Sequence, residues 1–126
     1  MQVGRQVVNV NEYELRATPD EFVEAISALA RRTEADGHPG VLLYQFYVNP
    51  EQETAGAVVV YSDAAAWLAH HHMAYQWEEM ASLQATVALQ RLTILGPLDQ
   101  DVEDWLGEAG LSFTHYATIA AGFMRG

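Results

Sequence analysis

Between Arg5 and Leu15 the chain alternates: Val7, Asn9, Asn11 and Tyr13 fall on one side of an extended backbone, and Val8, Val10, Glu12 and Glu14 on the other. Side chains of a strand point alternately to its two faces, so this period-two pattern predicts a first strand. The period then changes. Phe22, Val23, Ile26, Leu29 and Ala30 recur at helical spacing and form one apolar stripe. Thr18, Pro19 and Glu21 stand where an N-cap, a first helical position and a capping-box partner belong. Arg31 and Arg32 suit the negative end of that helix, and Gly37 can stop it. "VLLYQFYV" is a continuous apolar and aromatic run between turn residues and reads as a central strand. After the polar turn "NPEQETAG", "AVVVY" supplies its hairpin partner. Ser62 or Asp63 caps a long second helix that runs through three consecutive histidines to about Gln84. "TVALQRLTIL" is a β-branched fourth strand, ended by Gly96 and Pro97.

The order β-α-β-β-α-β is the split βαβ, or ferredoxin-like, arrangement, an α+β fold with both helices on one face of an antiparallel sheet. Residues 1–98 are expected to form this domain, and 99–126 a C-terminal extension packed on the same domain or on its dimer partner. In the extension, "DQDVEDWLGEAG" predicts a short acidic helix carrying Val102, Trp105 and Leu106, with Trp105 as its aromatic anchor. Leu111, Phe113 and Ile119 follow at even spacing, which predicts a fifth strand or extended arm. A one-sided sheet leaves its other face open. Pairing two such faces removes a large apolar patch, so a homodimer through the open face is expected.

Composition narrows the partners. The chain has 126 residues, half of them hydrophobic, which fits one domain with a core of its own. Seventeen acidic residues face six basic ones, a formal charge of −11 that repels phosphate backbones and anionic membranes. Neither nucleic acid nor a membrane is therefore an expected partner. No run approaches the roughly 20 apolar residues of a membrane helix, and "MQVGRQVVNVNEYELR" lacks a signal-peptide pattern, so a cytoplasmic location is expected. The absence of cysteine excludes disulfides, thiolate metal sites and cysteine nucleophiles.

The candidate chemistry lies in "AWLAHHHMAYQWEEM". Consecutive helical residues point about 100° apart, so His70, His71 and His72 fan over about 200°. A helical metal pair needs ligands three or four residues apart, and no carboxylate or second histidine occupies those positions. No metal is therefore expected. His72, beside Gln76 and Glu79, belongs to a solvated face. His70 lines up with Met73, Trp77 and Met80, while His71 lines up with Trp67, Ala74 and Tyr75. A histidine among aromatic side chains can be tuned into a general base, and either ring fits the role as well as it fits a packed core histidine. Asn9 and Asn11 are unusual on a strand, and they or Arg91 on the fourth strand can hold a substrate oxygen.

The element order and the segment "GVLLYQFYVNPEQETAGAVVVYSDAAAWLAHHH" resemble the antibiotic biosynthesis monooxygenase family of dimeric α/β barrels over roughly residues 5–98. The matching positions are Gly40, Tyr44, Pro50, Tyr61, Ser62, Asp63, Ala66 and His70 or His71. That family contains quinol and anthrone oxygenases that use no cofactor, heme-degrading enzymes and members without known activity. Its enzymes commonly combine a strand Asn with a Trp and a His or Tyr on or near the second helix. The spacing of Trp67 to the histidines departs from the heme-degrading pattern, and so acidic a chain is a poor host for heme propionates. What the resemblance implies is a cofactor-independent monooxygenase oxidising a small aromatic quinol, phenol or enol with O2. His71 or His70 would be the base, Asn9 would orient the oxygen, and Trp67, Tyr75, Trp77, Tyr44 and Arg91 would contact substrate. The competing expectation is a non-catalytic module that binds a small hydrophobic aromatic ligand.

Overall fold

Nine consecutive residues of alternating character, Val7–Leu15, form β1, with Val7 and Asn9 buried on one face of the sheet. The computed structural model describes residues 3–126. A 3-10 turn at Val3–Arg5 precedes β1, and α1 (Pro19–Asp36), β2 (Val41–Asn49), β3 (Thr54–Tyr61), α2 (Ala64–Ala74), α3 (Glu78–Gln84), β4 (Val87–Leu95), α4 (Gln100–Glu108) and β5 (Thr114–Tyr116) follow it. The sheet order is β2-β3-β1-β4-β5, with β1 to β4 antiparallel and β5 added in parallel on the edge beside β4. The sheet is open, with β2 and β5 at its edges, and the fold is ferredoxin-like α+β.

The helix starts follow the chain's own signals. Thr18 caps α1, its side chain accepting from the Glu21 N–H while the Glu21 carboxylate accepts from the Thr18 N–H, both at 3.1 Å. Asp63, rather than Ser62, caps α2 by accepting from the Ala66 N–H at 2.8 Å. Helix α1 runs on to Asp36, so Arg31 and Arg32 stand about a turn before its end. Arg32 instead pairs with Asp36 at 2.8 Å and with Glu79 at 3.3 Å.

The expected long second helix is two helices. Tyr75–Trp77 break it: the Trp77 N–H bonds the Ala74 carbonyl at 3.0 Å, and Trp77 takes an extended backbone as the N-cap of α3. The break has a packing reason. It turns α3 across α1, so that Met80 and Leu83 join Phe22, Ile26 and Leu29 in one apolar cluster. Trp77 meanwhile lies beneath the Arg32 guanidinium, 4.7 Å from its ring centre. A second cluster gathers Val59, Tyr61, Trp67, Leu92, Ile94 and, from α4, Val102 and Leu106. Tyr44 and Phe46 of β2 pack against both clusters.

Helices lie against one face of the sheet. The other carries Val8, Val10, Val58 and Val60, all half-buried, with Tyr47 and Leu95 exposed beside them. The strand after α4 is only three residues long; His115 Nε2 bonds the Gly96 carbonyl at 2.7 Å, and the Gly96 N–H bonds the Tyr116 carbonyl at 2.9 Å. Ile119, Phe123 and Met124 beyond it are exposed.

Gly40 marks the closest approach of β2 to the start of α2. A Cβ there would lie 2.5 Å from the Ala66 Cβ and 2.7 Å from the Ser62 Oγ. The Ala66 Cβ cannot withdraw freely, since Ala66 is buried in the first turn of α2. Gly40→Ala is expected to lower stability by about 1–3 kcal/mol, read as a fall in the urea midpoint; an unchanged midpoint would show that the helix start can shift.

Candidate active site

Between the two apolar clusters lies a cavity of about 200 Å³, roofed by α2 and α3 and floored by the inward face of the sheet. The inward positions of β1 supply Asn9, Asn11 and Tyr13 to its floor, and β2 and β3 add Tyr44, Phe46, Val59 and Tyr61. Trp67, His70 and His71 of α2, with Tyr75 just beyond it, reach the cavity from above. Leu106 and Leu111 of the C-terminal segment also line it.

Asn9 is 3% exposed in the middle of the sheet, and its reason for being there is Trp67. The indole N–H donates to Asn9 Oδ1 at 2.9 Å. An indole can only donate, so the amide oxygen must face it, and the amide NH2 is left as the group Asn9 can offer a ligand. One register position along, Asn11 Nδ2 donates to the Tyr13 hydroxyl at 2.7 Å, while its Oδ1 is buried without a partner among the described residues.

The two histidines are held differently. The His71 ring lies flat on Trp67, with centroids 3.6 Å apart and planes 18° apart, and Trp105 of α4 meets it edge-on at 5.1 Å. His71 Nδ1 stands 2.7 Å from the Trp67 carbonyl oxygen. A carbonyl can only accept, so Nδ1 carries the proton and Nε2 the lone pair. Burial pushes this ring down from its ordinary 6.5 to about 3, outweighing the carbonyl bond, which favours the charged form. His70 is 2% exposed, its ring 5.3 Å from that of His71, and its Nδ1 is buried without a partner among the described residues. Burial, and to a smaller degree His38, push it down to about 4. His72 is exposed.

Four tyrosines share the cavity, and burial raises the pKa of each. Tyr13 goes to about 12 and Tyr61 well above 10, both further raised by neighbouring tyrosines. At neutral pH the cavity thus presents uncharged phenols and uncharged imidazoles. No lysine, arginine, aspartate or glutamate lines it among the described residues.

The structure brings Asn9, His70, His71, Trp67, Tyr44 and Tyr75 together at this cavity. It does not bring Arg91 or Trp77. Arg91 alternates with the inward Leu92 and Ile94 and pairs with Glu12, so it lies on the open face; the shift in β1–β4 pairing beyond Glu12 then brings Leu89 inward as well. The Arg91 Nε is 3.9 Å from the Glu12 carboxylate, with both side chains largely exposed. Trp77 leaves the site because the helix breaks at it. Asn11, the other strand asparagine singled out in the sequence, lines the cavity too, and Tyr13 and Tyr61 join it. The alternation of β1 already carried the signal for Asn11 and Tyr13, since both share the face of Asn9. No described group of three or more His, Asp or Glu side chains is arranged to hold a metal ion.

Solved structures of known proteins share this architecture. MupZ from Pseudomonas fluorescens superimposes with a TM-score of 0.65 at 22% identity, over 96% of this chain and 95% of that one. SnoaB from Streptomyces nogalater, a cofactor-independent oxygenase, gives 0.58 at 15% identity, over 76% and 96%. A candidate antibiotic biosynthesis monooxygenase from Caulobacter crescentus CB15 gives 0.52 at 21%, over 72% and 87%. No protein-family model and no curated protein matches the chain. At these identities the likeness is one of fold: the chain has the ferredoxin-like fold of antibiotic biosynthesis monooxygenase-type proteins.

The burial of two uncharged histidines has a consequence for stability. Below about pH 6.5 the unfolded chain takes up protons that the folded rings refuse until about pH 3 to 4. Stability should therefore fall as pH drops through that window, by about 1.4 kcal/mol per histidine per pH unit at most. Urea midpoints measured between pH 7 and 4.5 should decline in the wild type and decline less in a His70→Gln, His71→Gln variant. A flat wild-type profile would mean that the rings are hydrated.

Proposed function

We propose that this protein is a cofactor-independent monooxygenase acting on a small aromatic quinol, phenol or enol. The observation that carries the reading is one cavity holding a histidine of defined tautomer, a strand asparagine whose oxygen and not its NH2 is taken by Trp67, and two buried polar atoms without partners among the described residues. Unpartnered buried polar atoms each cost about 1–3 kcal/mol, and an oxygenated ligand would satisfy them. The cofactor-independent oxygenase SnoaB shares the fold, which supports the reaction class.

In this reading His71 Nε2 takes the hydroxyl proton of the bound phenol or enol. An imidazole held down to about 3 is a weak base. The anion that forms beside it compensates, because an opposite charge at contact distance stabilises the imidazolium. Asn9 donates its amide N–H to the substrate oxygen and holds the developing negative charge. The electron-rich carbon then reacts with O2. Where that carbon is a ring methylene, the methylene and one O2 become a ring carbonyl and one water: one oxygen atom stays on carbon, and the other leaves with both methylene hydrogens. The substrate itself supplies all four electrons, so the chemistry calls for no external reductant. Trp67 acts through His71 and Asn9, to which it is bonded and stacked.

Oxygen uptake with a panel of one- and two-ring quinols should fall by about 100-fold or more in His71→Ala. Because the ring stays neutral well below 6.5, the acid limb of kcat/KM should lie below pH 5 rather than near the ordinary histidine value. Equal rates in wild type, His71→Ala and His70→Ala would remove both histidines from the mechanism. The unpartnered atoms also favour a second reading, a non-catalytic module that binds a small hydrophobic ligand. Ligand binding without any oxygen uptake would select it.

We also propose that two copies pair through the open sheet face, which would cover Val8, Val10, Val58, Val60 and Tyr47. Light scattering should then report about twice the 14.0 kDa chain mass, and Val60→Lys should return it towards the monomer. A wild-type monomer at high micromolar concentration would overturn this.

A further inference from the structure

The cavity's size and composition narrow what it can hold, on the reading that it is a small-molecule site. We propose that its ligand is a neutral, oxygen-bearing molecule of one or two fused rings, and that the C-terminal segment is the wall that limits ligand length.

The size argument is direct. A cavity of about 150 Å³ accommodates one benzene ring. At about 200 Å³, this one takes one substituted ring or two fused rings, and a third ring meets the wall. That wall is made by residues that follow the β-α-β-β-α-β unit. Leu106 is fully buried at the end of α4, and Leu111 follows the turn, held by the bond from its N–H to the Leu106 carbonyl at 3.0 Å. Trp105 stands behind them, edge-on to Trp67, His71 and Tyr75 at 5.4, 5.1 and 5.0 Å. These contacts anchor the wall to the residues proposed to do the chemistry.

The charge argument is equally direct. An anionic or cationic ligand would enter a cavity that offers no opposite charge among the described residues, at a cost of several kcal/mol. A neutral ligand with oxygens on two sides suits it. Asn9 and the phenols provide donors, and Asn11 Oδ1 provides an acceptor that no described protein group uses.

The test is anaerobic calorimetry, so that binding is read without turnover, using phenol, 2-naphthol, 2-hydroxyanthracene and 2-naphthoate. The wild type should bind 2-naphthol at least about tenfold more tightly than either 2-hydroxyanthracene or 2-naphthoate. Leu111→Ala should bring the two- and three-ring compounds to within about threefold of each other, and Leu111→Phe should shift preference towards phenol. Leu111 is half-buried, so both variants should fold. Equal wild-type affinities for two and three rings, or a ratio unmoved by both substitutions, would overturn the wall. Tight binding of 2-naphthoate would overturn the neutral-ligand rule. Failure of the oxygenase reading looks different: selectivity would shift as described, but no quinol would be consumed in air.

Discussion

The 2.9 Å hydrogen bond from the Trp67 indole to Asn9 Oδ1 holds the site together. It joins the first turns of α2 to a central strand in a region otherwise packed by apolar contact. Such a bond contributes only about 1 kcal/mol net, but leaving either buried partner unpaired costs more. It therefore selects the register of helix on sheet. Once Trp67 is held, its carbonyl sets the tautomer of His71 one turn on, and its ring face carries the imidazole. One contact between helix and strand thus fixes the rotamer of an indole, the proton of an imidazole and the orientation of an amide.

The cavity exists because the two halves of the core do not merge. One cluster is built around Trp67 and the end of α4, the other around α1 and α3. Their boundary is lined by side chains that are large but polar at one edge: tyrosines, asparagines and histidines. Leucine or phenylalanine would fill the space without leaving polar edges to satisfy. The polar edges instead carry two buried unpartnered atoms. Giving up stability locally is the usual signature of a site rather than of a core.

Much of the framework was legible along the chain. The period-two pattern of β1, the capping box at Thr18, a cap at Ser62 or Asp63 and the β2–β3 hairpin follow from local rules, because each depends on neighbours within a few residues. The grouping of Asn9 with His70 or His71 and Trp67 came from face assignment together with the family resemblance. Two expected contacts failed. Trp77 left the site because α3 had to turn onto α1, a non-local event with no signal in the local spacing. Arg91 left it by the alternation of its own strand, since Leu92 and Ile94 take the inward face and Arg91 pairs with Glu12 on the other.

By itself the amino-acid sequence determined the order of the strands, the starts of α1 and, to within a residue, of α2, the inward face of β1 and the solvent position of His72, since all are set by backbone period and short-range hydrogen bonding. It also determined the absence of thiol chemistry and the acidic surface, which are matters of composition. Only the tertiary structure decided that both His70 and His71 meet one cavity, that His71 offers Nε2, and that Leu106 and Leu111 join its lining. Those facts depend on where a helix breaks and on how a C-terminal segment folds back, and both are settled by packing between residues far apart in the chain.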